Sequence, residues 1–157
     1  MWIVIACIAL AIGLVAYPLL QLKPSRHQQH IMHLRQQALR AGLSVEVRAP
    51  MIDSALTINY PTLSQCVAYC LKHSSDTSDT ILTIRHHTTQ QWRWVDERPP
   101  PSRMTALLEA YDRLPNMIRA VEHSPQGCAV FLVESPTVSV STIEDSLQII
   151  ATVSHQK

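Results

Sequence analysis

The chain has 157 residues, 46% of them hydrophobic and 16% charged, with a formal net charge of +1. That total hides a division: residues 1–22 carry no charged side chain, residues 23–48 carry a net +4, and residues 49–157 a net −3. A mildly acidic main body argues against a nucleic-acid partner, which would require a basic surface there, and the length allows one N-terminal segment and one domain of about 110 to 130 residues.

Trp2 to Leu20 are nineteen consecutive residues without a charge. As a helix they would reach ~28 Å, close to the ~30 Å hydrocarbon thickness of a bilayer. The expectation is a transmembrane anchor over 1–22. Trp2 and Tyr17 would sit at its two interfaces, and Lys23, Arg26 and Arg35 at the basic side. Basic residues flanking only the C-terminal end predict an outward N-terminus and a cytoplasmic domain. A cleaved signal peptide fits less well, because the basic leading region and a small-x-small site are missing. Ala9, Gly13 and Ala16 could let a second helix approach, although no full GxxxG pair is present.

A basic juxtamembrane amphipathic helix is predicted within 23–42. Ser25 caps it, Gln28 completes a capping box, and Gly42 stops it. Ile31, Leu34, Ala38 and Ala41 share its apolar face. A small α+β domain over 43–157 should follow. Leu43, Val45 and Val47 alternate as a strand, Ala55–Tyr60 reads as another, and Leu63–His73 reads as a short helix before a polar loop at Ser74–Thr80. Thr80–His86 and Gln90–Val95 form a hairpin. Pro99, Pro100 and Pro101 break the chain, and Ser102 caps a helix over Arg103–Leu114. Met117–His123 and Cys128–Glu134 form a second hairpin, turned at Gly127, and Thr142–Val153 is a closing helix capped by Ser141 or Thr142. The natural packing is a small antiparallel sheet with two or three helices on one face.

The Leu22–Lys23–Pro24–Ser25 exit, the helix ending in Leu34–Leu43, and Trp92–Arg93–Trp94 before a proline-rich joint together resemble uncharacterised bacterial single-pass membrane proteins with a short cytoplasmic domain. Leu22–Lys23–Pro24 and the glutamine-rich stretch Gln28–Arg40 are also similar to the YajC-type accessory subunit of the Sec translocase. That resemblance spans the first forty or so residues and implies a partner in a membrane complex. The longer, mildly acidic domain departs from that pattern.

Few residues suggest chemistry. Cys66, Cys70 and His73 fall at i, i+4 and i+7, one face of the predicted helix, where they are either a weak zinc-ligand set or the buried stripe of an amphipathic helix. His27, His30 and His33 could give a pH-responsive lipid contact or be ordinary polar residues near headgroups. Trp92 and Trp94 share one side of a strand and either pack a core or present a partner surface. Neither a phosphate-binding loop nor a nucleophile elbow occurs, and three glycines leave little to build one. Asp96 and Glu97 read as a solvated joint, and Asp76 and Asp79 lack calcium-loop spacing. The expectation is a non-catalytic adaptor or scaffold at the membrane surface, without a cofactor, whose partners are membrane lipid and a protein. The alternative is an accessory subunit of a membrane complex.

Overall fold

The computed structural model describes residues 1–6, 8, 10, 12, 17, 24–48, 50, 60–72, 80–86, 88–95 and 104–154. The first regular element of the main body is α1, Arg26–Arg40. The Ser25 side chain accepts from the Gln28 backbone at 3.2 Å while Gln28 Oε1 accepts from the Ser25 backbone at 2.9 Å, a closed capping box. At the other end Gly42 takes φ +85°. There Gly42 N–H donates to the Leu39 carbonyl at 3.1 Å and Leu43 N–H to Ala38 at 3.0 Å, a Schellman stop that only a residue at ease with positive φ makes cheaply.

The described residues then build six antiparallel strands: β1 Ser44–Glu46, β2 Val67–Lys72, β3 Ile81–Arg85, β4 Trp92–Trp94, β5 Ile118–Ser124 and β6 Gly127–Leu132, ordered β1-β2-β6-β5-β3-β4. Two further helices complete the set, α2 Met104–Tyr111 and α3 Val140–Ser154. The overall class is α+β. Strand parity sends Val67 and Tyr69 of β2, Val121 of β5 and Val130 and Leu132 of β6 to one face. Leu34 and Ala38 of α1, Leu107 and Tyr111 of α2, and Ile143, Leu147 and Ile150 of α3 cover them there. The opposite face carries Ala68, Ala120, Ala129, Phe131, Leu82 and Ile84 under Leu63. A bulge between Ile118 and Ala120 makes this parity possible, since one extra residue lets both Ile118 and Val121 face the helices.

Three expectations are corrected. The anchor over 1–22 is overturned as a membrane-spanning helix: among the described residues no helix is long and apolar enough to cross a membrane. Leu63–His73 is not a helix. Pro61–Gln65 is a 3-10 turn and Val67–Lys72 is a strand hydrogen-bonded on both sides. Its β-branched and aromatic residues, Val67 and Tyr69, find cross-strand partners that outweigh the apparent helical stripe. The cap of α3 is Ser139, whose Oγ accepts from Thr142 N–H at 3.2 Å, two or three residues before the predicted cap. Both hairpins form as expected, with Thr83 opposite Trp94 and Ser124 opposite Gly127. The strand expected at Ala55–Tyr60 lies outside the described residues except for Tyr60, as does most of the Ser74–Thr80 loop.

Candidate functional site

The buried ionisable groups are engaged in holding the fold together. Glu134, just past β6, receives Arg35 of α1 through Nε at 2.8 Å and Nη2 at 2.5 Å, and the hydroxyl of the fully buried Tyr69 at 2.7 Å. This fork fastens α1 to the chain just past β6 and, through Tyr69, to β2. The hydrogen bond to Glu134 raises the Arg35 pKa, and burial chiefly, helped by the Glu134 charge, raises that of Tyr69. On the opposite face, Arg48 makes a bidentate pair with Glu122 at 2.8 and 3.0 Å, reaches Glu46 at 2.6 Å, and lies 5.1 Å over the Phe131 ring. The hydrogen bond to Glu122 is the main reason its pKa rises.

Arg85 is 4% exposed and binds backbone. Its Nη1 donates to the Pro115 carbonyl and Asn116 Oδ1, both at 3.0 Å, and its Nη2 to the Leu114 carbonyl at 2.9 Å. The guanidinium thus caps the chain leaving α2, where carbonyls lack helical partners. Burial lowers its pKa. It also stacks 4.5 Å from the Trp92 ring, whose Nε1 donates to the Tyr111 carbonyl at 2.9 Å. The Tyr111 hydroxyl and His123 Nε2 share a short hydrogen bond beside them.

The thiols are not poised as nucleophiles. Burial pushes Cys66 up to about 11 and Cys128 up to about 12, and raises Cys70 as well, with Glu46 adding to that shift. A thiolate is the reactive form, so burial leaves these three groups less reactive near neutrality than an exposed cysteine.

The sequence-derived candidates fare unequally. Cys66 and Cys70 do share a face, because an even spacing in extended chain preserves it, but four residues of extended chain separate them by ~13 Å instead of the ~6 Å of a helix. Two thiolates that far apart cannot share one zinc, whose sulfur bonds are ~2.3 Å. His73 lies outside the described residues, and among the described residues no group of three ligating side chains gathers. Trp92 is 7% exposed and belongs to the helix-side core, with Trp94 partly buried against it. Trp2 and Tyr17 stand 86% and 67% exposed, Arg26 is exposed, and Lys23 lies outside the described residues. Arg35, expected at lipid, is turned to Glu134 instead.

Among the accessible surfaces are the outer face of α1 and the apolar residues before it. Met32 and Leu39 are 55% and 58% exposed, seven residues apart and therefore in line along the helix. Arg26, His33 and Arg40, also exposed and at intervals of seven, form a second line beside Gln29 and Gln36. The sequence already held this pattern, but the buried Leu34 and Ala38 are needed to show which side faces out. Compared with protein-family models, curated proteins and solved structures, the chain matches none.

Proposed function

We propose that this protein is a non-catalytic adaptor that works at a membrane surface, its α+β domain displayed to a protein partner on the cytoplasmic side. The observation that carries the reading is the exposure of apolar side chains ahead of α1. Trp2, Ile3 and Val4 are 86%, 80% and 62% exposed, within a run that has no charge until Lys23. Exposed apolar surface of this kind marks an interaction site. The commitment of Arg35, Arg48, Arg85, Glu122 and Glu134 to structural bonds supports a binding role over a catalytic one. The similarity of Leu22–Arg40 to the YajC-type segment favours a second reading, an accessory subunit of the preprotein translocase.

Flotation of the full chain with lipid vesicles tests the first reading. Co-flotation that is lost on removing residues 1–22 is the expected result, and a chain that stays in the unbound fraction with every lipid overturns it. Replacing 1–22 by an unrelated apolar sequence separates the two readings. A complex captured by cross-linking in native membrane survives that exchange if the domain binds the partner, and disappears if residues 1–22 themselves bind it.

A further inference from the structure

α1 contains no acidic residue, and Glu46 is the one acidic residue anywhere in the first fifty-two positions. That carboxylate is paired with Arg48, and Glu134, which approaches α1 from the sheet, is occupied by Arg35 and Tyr69. Among the described residues, no carboxylate pairs with Arg26 or Arg40, so the outward side of α1 presents two guanidinium groups in line with His33. The exposed Met32 and Leu39 lie across a strip of glutamines from them, while Leu34 and Ala38 hold the helix on the domain. A rigidly mounted amphipathic face with cations on one flank and apolar groups on the other is complementary to a surface that is itself anionic and apolar beneath.

We propose that this outward face of α1 is a docking surface for an anionic lipid bilayer, with Arg26 and Arg40 against headgroup phosphates and Met32 and Leu39 entering the interface. The proposal rests on the membrane-surface reading above. Lipid is favoured over an acidic protein because the chain leading into α1 is an uncharged apolar run with its described side chains exposed, and a bilayer offers both chemistries at once. The bound α1 would hold the sheet at a defined angle to the membrane, since Arg35 and Glu134 lock it to β6.

The test uses the full chain carrying Leu39→Trp, with vesicles of phosphatidylcholine alone or mixed with phosphatidylglycerol, and lipid tails brominated to quench nearby indoles. Quenching beyond that of the unsubstituted chain is expected on the anionic vesicles only. Arg26→Gln with Arg40→Gln should lower the docked-to-free ratio about 30-fold, corresponding to ~1 kcal/mol for each arginine. Gln36→Trp, on the same exposed side, provides a second reporter should the first variant fold poorly. Flotation without excess quenching, or equal quenching on both lipids, overturns the α1 surface while leaving the membrane-surface reading standing. Absence of flotation overturns both.

Discussion

The two faces of the sheet are built from different materials. On the helix side the buried residues are large: Tyr69, Tyr111, Ile118, Leu132, Ile143, Leu147 and Ile150 are all at most 1% exposed. On the other side Leu63, Leu82, Ile84 and Phe131 are buried among three alanines, Ala68, Ala120 and Ala129, and the ion pair of Arg48 with Glu122 lies by the Phe131 ring. Helices require side chains that fill the space between two layers, whereas over these alanines the described cover is the Arg48 guanidinium and the Pro61–Gln65 turn, which leave less room. The comparison teaches that alanine here marks clearance, not weak hydrophobicity.

The strongest challenge to that contrast is cavity formation on the helix side. Leu147→Ala should cost about 2–5 kcal/mol in denaturant unfolding, because α3 is held between α2 and the sheet and cannot collapse into the space. A loss below 1 kcal/mol would mean that the helix layer is loosely packed. Overfilling the other face comes next: Ala120→Leu should destabilise by about 1–3 kcal/mol, by pushing against Phe131 and Leu63. An unchanged midpoint would show spare room on that face. Arg48→Met should cost about 1–3 kcal/mol, since Glu122, whose side chain is 8% exposed, loses both of its bidentate donors. Pairing it with Glu122→Gln should recover part of that loss, which a double-mutant cycle measures.

The thiols sharpen the comparison on a finer scale. Cys66 and Cys128 keep their protons to about 11 and about 12, above their ordinary 9.0, so the folded state binds protons that the unfolded chain has released. Their contribution is fully present below pH 9 and is lost as the pH rises toward 11 and 12, with a slope of up to ~1.4 kcal/mol per pH unit for each group. Tyr69 and Tyr111, also raised by burial, act in the same direction from pH 10 upward. Melting temperature measured from pH 7 to 11 should therefore be level and then fall, and Cys128→Ala should flatten the decline. Among Cys66, Cys70 and Cys128, thiol labelling mapped by peptide should find Cys70 fastest, as it is the half-buried one, with Cys66 and Cys128 both slower.

Local signals were legible wherever the chain interacts with itself over a few residues. The Ser25–Gln28 box and the Gly42 stop delimit α1 from sequence to within a residue, and both hairpins follow from alternation around short turns. The second strand is not legible as one, because Cys66, Val67, Cys70 and Leu71 satisfy a helical stripe as well as a buried strand does. Short apolar runs carry no information about which long-range partner they meet. The Cys66–Cys70 spacing depends on the same backbone, so extended chain separates two of the metal-like residues that a helix would bring together. Arg35 was legible as a basic residue near the N-terminal segment but not as the partner of Glu134, ninety-nine residues away.

By itself, the sequence determined the α+β class, the ends of α1, the two hairpins, and the split between an uncharged beginning, a basic α1 region and an acidic body. Each of these depends on composition or on contacts a few residues long. Only the tertiary structure decided that β2 is a strand paired on both sides, that a bulge at Arg119 resets the parity of β5, and that Arg35 and Arg85 turn inward while Arg26 and Arg40 stay out. Those outcomes depend on which distant groups fill a strand edge or satisfy a buried charge, a balance that no window of neighbouring residues contains.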